Sequence, residues 1–290
     1  MPSKFTVHGA LFLVALLYGA NYSIAKIALP EYISPFGFIL LRLIVATALF
    51  WLLDVLNPSE KIDKADFWLF VKCAFFGAAA NMLFFFKGLS MTNPINASVI
   101  MTLTPIVVLL TAFFMKQEKM NLKKIVGVMV GAIGAYLLIT KDGISLTQNT
   151  FLGDILVLLN GSTYAVYLVL VKPLMIKYKP TTVIKWVFLF GMLMCVPFGT
   201  AELAAVEWPS IPVEAWLSVA YAVVGATFLV YLLNIWALQY VNASVVGIYI
   251  YLQPLIATVV AVAFRGDKLE LITVLYALVI MIGVFMVSRK

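Results

Sequence analysis

The chain has 290 residues, of which 64% are hydrophobic and 11% charged, against about 45–50% apolar and about 25% charged in an ordinary soluble domain. Such a balance excludes a water-soluble globule with one core. The net charge is +7, but Lys and Arg fall between apolar runs rather than in one basic patch, so nucleic acid is not an expected partner.

Apolar runs recur from end to end, each near the roughly 20 residues a helix needs to cross a bilayer. In chain order the expected helices are 8–29, 33–56, 66–90, 94–115, 121–140, 151–172, 181–204, 212–238, 243–264 and 269–288. Lys4 precedes the first run as in a secretory signal, yet the stretch from His8 to Leu29 is long for a cleaved signal, so it reads as the first span. No water-soluble domain is expected at either end. Cys73 and Cys195 lie inside apolar runs, which leaves neither a disulfide framework nor a metal-ligand spacing; no metal and no cofactor are expected.

Short connections make neighbouring spans antiparallel, and Lys and Arg concentrate in cytoplasmic loops. The N-terminal side carries Lys4, Lys61, Lys64, Lys116, Lys119, Lys123, Lys124, Lys172, Lys177, Lys179, Arg289 and Lys290; the opposite side carries Lys141, Arg265 and Lys268. Twelve against three places both termini in the cytoplasm.

The segment from Lys87 to Lys141 matches the segment from Trp236 to Lys290 at a spacing of 149 without a gap. Leu89 falls on Leu238, Asn93 on Asn242, Pro105 on Pro254, Glu118 on Asp267 and Gly134 on Gly283. Earlier, at a spacing of 142, Leu17-Tyr18-Gly19 meets Leu159-Asn160-Gly161 and Tyr22 meets Tyr164. Chance coincidence among common residues is the alternative, but a proline and an acid recurring at matched distances favour duplication. An odd number of helices per copy inverts the second copy in the membrane. The fold expected is therefore an all-α membrane protein of ten transmembrane helices, arranged as inverted five-helix repeats over 1–145 and 146–290, with a site near the midplane between them.

Tyr18-Gly-Ala-Asn-Tyr-Ser-Ile-Ala-Lys26, Ser34-Pro35 with Leu41-Arg42, Leu103-Thr-Pro105 with Glu118, and Leu252-Gln-Pro254 with Asp267 are a recognisable set of motifs. Through them the sequence resembles the EamA family of the drug/metabolite transporter superfamily. Asp267 departs from the Glu usual there. The resemblance covers essentially the whole chain, and its loose motifs bear on fold more than on substrate. It implies ten helices, a plasma-membrane (bacterial inner-membrane) location and export of metabolites, amino acids or drugs, with protons as a family-level coupling ion.

A polar stripe inside a span points to the bundle interior or a wet cavity, because lipid cannot satisfy it. Stripes at helical spacing are Tyr18, Asn21 and Tyr22; Asn160, Tyr164 and Tyr167; Thr227, Tyr231 and Asn234; and Asn242, Tyr249 and Gln253, with Ser98 and Thr102 adding a fifth. Together with Lys87 these are the candidate substrate-cavity residues, the aromatic faces holding an apolar or cationic body and the amides orienting polar ends. For any one of them, interhelical hydrogen-bond glue is an equal alternative. Pro105 and Pro254 obstruct the carbonyls of Met101 and Ile250 and are candidate hinges, or static kinks.

Lys26, Lys87 and Arg42 fall in the outer half, level with Asp154. One of these cations pairing with Asp154 would make an outer gate; alternatively the cluster draws in an anionic group. Snorkelling to the surface is the plain expectation for Lys26 and is open to Lys87. No carboxylate lies deep in a span, and the lone His8 has no acid partner nearby, so no enzyme site is expected; nor is a phosphate-cradling loop present. The expected partners are a small-molecule substrate and the lipid bilayer, with no obligate protein partner. Rival readings are a nucleotide-sugar or phosphate-ester exchanger on the same scaffold, and a lipid flippase or membrane scaffold.

Overall fold

A computed structural model describes residues 4–56, 60–116, 119–141, 149–238, 240 and 249–288. Glu118, Asn242 and the start of the expected ninth helix, 243–248, lie outside the described residues. Those that are described form helices and their connections, with no strand among them.

The helices are α1 (Lys4–Ala28), α2 (Pro35–Leu56), α3 (Phe67–Ala74), α4 (Ala80–Met91), α5 (Pro94–Met101), α6 (Thr104–Phe114) and α7 (Leu122–Thr140) in the first half. The second half holds α8 (Asn149–Lys177), α9 (Pro180–Ala204), α10 (Val213–Ala220), α11 (Val230–Leu238), α12 (Gln253–Arg265) and α13 (Leu271–Ser288). Joined end to end where they are continuous, they give eight helices long and apolar enough to cross a membrane, and two shorter apolar helices, Gln253–Arg265 and Leu271–Val287. Large apolar side chains such as Trp68, Leu217, Val259 and Phe285 face outward, which suits a lipid solvent, since a chain in water rarely exposes so much contiguous apolar surface.

Four of the spans are not regular helices. Pro105 supplies no N–H and crowds the Met101 carbonyl, so α5 ends there and a new helix starts with Pro105 in its first turn. The freed Met101 carbonyl accepts the Thr104 hydroxyl at 2.7 Å, while Thr102 and Leu103 close the gap with tight bonds to Val99 and Ile100. Pro254 occupies the same first-turn position in α12. Between α3 and α4, and between α10 and α11, the helix widens into π geometry over Phe75–Ala79 and Tyr221–Leu229. Such wide turns are uncommon, collect at functional sites and leave carbonyls turned away from the regular ladder.

Packing follows a pattern of exchanged partners. Helix α2 packs on α9 and α7 on α13; α4 and α6 pack on α8, and correspondingly α10–α11 and α12 pack on α1. Small residues permit these approaches, as is usual where lipid provides no hydrophobic drive between helices. A Cβ on Gly283 would stand 2.4 Å from the Gly131 nitrogen, and one on Gly199 2.6 Å from the Phe36 carbonyl oxygen. At the α2–α9 crossing the Glu202 carboxylate accepts the Phe36 and Gly37 N–H groups at 2.7 and 2.9 Å, satisfying orphan donors of the α2 first turn. At one end of the α7–α13 pair Lys141 bonds Glu270 at 2.6 Å and Thr273 at 2.8 Å.

The Lys141 bond holds the Glu270 carboxyl below its ordinary range. Because a depressed carboxylate stabilises the fold only while ionised, Glu270→Gln should lower the thermal midpoint at neutral pH, and the difference should vanish as acid protonates Glu270. A thermal-melt series against pH measures it. Gly283→Ala, forced against backbone on α7, should destabilise the protein by about 1–3 kcal/mol, whereas Gly9→Ala, which meets nothing within 4 Å, should be neutral or better in the same melts.

Candidate functional site: a polar cavity inside the bundle

Where α1, α2, α4, α8 and α11 converge on the two proline breaks, a cavity of about 150 Å³ opens. It is roughly ten times the space one water requires, so it has room for a cluster of waters or a small organic molecule. From α1 come Tyr18, Asn21 and Tyr22; from α8, Asn160 and Tyr164; from α11, Tyr231 and Asn234; and from the segment entering α12, Tyr249 and Gln253. These nine are the stripe residues that the structure brings together.

The cavity wall is part satisfied and part not. Asn81 and Asn160 exchange bonds, each amide nitrogen donating to the other residue's backbone carbonyl at 3.2 and 2.8 Å. Tyr22 donates weakly to Gln253 Oε1 at 3.4 Å and meets Phe85 edge-on. His8 Nδ1 lies 2.8 Å from the Tyr249 hydroxyl at the cavity's flank. In contrast, the amide oxygens of Asn21, Asn160 and Asn234 are buried without a partner among the described residues. An unpartnered acceptor away from water is unfavourable, so three around one cavity mark a place where waters or a ligand's donors complete the bonding.

Five expected cavity residues are not in the wall. Thr227 is buried on the π turn, its hydroxyl donating to the Ala222 carbonyl at 2.7 Å. Ser98 and Thr102 are buried, but their hydroxyls donate back to the carbonyls of Ile95 and Val99, each at 2.7 Å; they serve their own helix. Tyr167 belongs to a neighbouring apolar cluster with Phe70 and Val187, wedged over Gly77, where a Cβ would come within 2.4 Å of its ring. Lys87 is half-buried outside the lining.

The cluster expected at the outer end is also rearranged. Lys26 does not simply snorkel: its ammonium donates to the Thr92 carbonyl at 2.5 Å, and the Thr92 hydroxyl donates to Asp154. Lys26 and Asp154 are thus joined through Thr92. Arg42 stands apart from this cluster. It is buried and lines the cavity, where its guanidinium donates to the Thr227 hydroxyl and to the Ala226 carbonyl at 3.2 Å. Both acceptors belong to the π turn, and the Phe86 ring lies 4.8 Å beneath the guanidinium carbon. At the opposite end of α12 from the cavity, Asp267 pairs with Arg265 at 3.5 Å and its backbone N–H returns to Ala261 through the left-handed Gly266, a helix-ending role.

Sequence reasoning left out Asn81, Thr104, Phe85 and Phe86 from the wall. Asn81 had a visible signal, being an amide in an otherwise apolar span; the aromatic pair had none, since Phe is ordinary inside lipid.

An all-helical bundle with an apolar exterior and a polar, aromatic cavity in its interior defines a multi-pass membrane protein built to admit a small molecule. The model of the EamA-like transporter family matches residues 6–140 and 151–289, and the chain belongs to that family. It is 26% identical to an uncharacterized transporter of Archaeoglobus fulgidus over 100% of this chain and 99% of that one. It is 23% identical to the uncharacterized transporter YyaM of Bacillus subtilis over 94% and 90%, and 24% identical to a WAT1-related protein of Arabidopsis thaliana over 99% and 86%. A solved crystal structure superposes with a TM-score of 0.62 at 18% identity, covering 96% of this chain and 98% of that chain, a likeness of fold.

If the cavity rather than the outer cluster carries the substrate, Lys87→Met should leave solute flux unchanged. Asn160→Leu, which removes one reciprocal amide bond and a cavity group, should cut flux at least several-fold while lowering stability by only about 1 kcal/mol. Flux in vesicles paired with thermal melts separates the two effects.

Proposed function

We propose that this protein is a secondary active transporter, working as an exporter, that moves small metabolites, amino acids or drugs by alternating access. The observation that carries the proposal is the cavity: aromatic and amide side chains drawn from both halves of the chain surround one space inside an apolar bundle. In this reading residues 1–145 and 146–290 are inverted repeats of five helices, with both termini in the cytoplasm of a cell whose plasma membrane holds the protein. The exchanged packing supports it, since a two-fold axis that swaps α2 with α9 and α7 with α13 also converts the contacts of α8 with α4 and α6 into those of α1 with α10–α11 and α12. The paired proline breaks and paired π turns occur at corresponding places in the two halves. Each is a point where half a helix can tilt with few bonds lost, so Pro105 and Pro254 act as hinges. Lys26, Thr92 and Asp154 close the outer end, and protons are the coupling ion.

Purified protein reconstituted in vesicles, offered labelled amino acids, nucleobases and drugs with and without a pH gradient, should move at least one solute faster than protein-free vesicles. The gradient should set the direction. Lipid scrambling without solute flux would replace this reading with that of a flippase.

A further inference from the structure

Arg42 is 5% exposed and lines the cavity. Its polar partners are neutral, the Thr227 hydroxyl and the Ala226 carbonyl, and among the described residues it forms no ion pair and no carboxylate lines the cavity. An intramembrane cation of equal burial behaves differently: Lys185, also 5% exposed, is paired with Asp54 at 2.6 Å. Burying a charge without a counter-charge is strongly unfavourable. A hydroxyl, a carbonyl and a ring face offset part of that, but they supply no full negative charge.

We propose that Arg42 is the anion-binding residue of the cavity and that the substrate is an organic monoanion, a carboxylate attached to an apolar body. The inference rests on the transport reading and names the substrate class. One guanidinium calls for one negative charge. A dianionic phosphate ester would require a second cation, and none lines the cavity among the described residues. The unpartnered oxygens of Asn21, Asn160 and Asn234 repel a second anionic group and accept from N–H or O–H donors elsewhere on the ligand. Phe85, Phe86 and the tyrosine faces give the body of the ligand an apolar wall. The planar fork of Arg suits a carboxylate better than the point charge of Lys does, and the π turn holds that fork at the cavity edge by two bonds that a carboxylate can replace.

The test uses three ligands of nearly equal shape: 3-phenylpropionate, 3-phenylpropanamide and 3-phenylpropylamine, titrated calorimetrically into the purified full-length protein at neutral pH. The acid should bind at least tenfold more tightly than the amide, and the amine weakest. In Arg42→Gln the preference of acid over amide should fall to about unity, and Arg42→Lys should retain part of it. Should Arg42→Gln not fold, the ranking on the unaltered protein and on Arg42→Lys still decides. Amide or amine binding as well as the acid, or a preference that survives Arg42→Gln, would overturn the proposal. Vesicle flux separates this from the wider reading: Arg42-dependent acid binding without flux of any solute sinks transport alone, whereas flux of solutes with no preference for acids sinks this inference alone.

Discussion

Inside hydrocarbon there is no water to accept a hydrogen bond, so every polar group in this bundle must be satisfied by the chain itself or by something the chain encloses. Much of the structure is an answer to that demand. Thr104, Thr111 and Thr140 return their hydroxyls to carbonyls of their own turns, Ser218 and Tyr221 reach across to carbonyls of α1, and Glu202 covers the start of α2. Where glycines bring two backbones together, as with Gly88 and Gly153 on α4 and α8, a Cβ on either would meet the other's carbonyl oxygen below 3 Å. Against this background of local satisfaction the cavity stands out. It gathers a guanidinium with neutral partners and three amide oxygens with none, and the π turn and the proline breaks, the irregular backbone of the bundle, are at its edge.

Eight of the ten expected spans were legible in the sequence as helices long and apolar enough to cross a membrane, because hydropathy over some 20 residues is the strongest signal a membrane chain carries, and the start and end of most of them fall within a few residues of expectation. Stripes at helical spacing found much of the cavity wall for the same reason: a run of amides and tyrosines on one helical face has few places to go in lipid. What the stripe cannot show is whether a hydroxyl turns inward or back on its own helix, since both directions begin from the same face. Ser98 and Thr102 made the second choice. Tyr167 shares a face with Tyr164 but is one turn further along, past the end of the cavity and over Gly77.

Arg42 shows the other limit. Its position along α2 placed it with Lys26 and Asp154 by depth alone, but depth says nothing about azimuth, and azimuth is set by packing against α4 and the π turn. No residue spacing announces a π turn, because Tyr221–Leu229 is composed like any apolar helix. The proline breaks were visible as proline; the Thr104 hydroxyl that satisfies the Met101 carbonyl depends on Thr104 being adjacent to Pro105, a pairing with meaning only once the break is known.

In the proposed reading, two halves that exchange packing partners around one polar space open it to either face by rocking one half on the other. Thiol accessibility tests most directly whether the cavity is the route. Cys73 and Cys195 are free and buried and can be replaced by Ala, leaving a single probe at Val14→Cys, a small and conservative change in the cavity wall. A membrane-impermeant maleimide should label this thiol in sealed vesicles from each side in turn, with the balance shifted by a transported solute. A thiol that reacts from neither face while folded, yet fully once the protein is denatured, would show a closed packing defect and contradict the account.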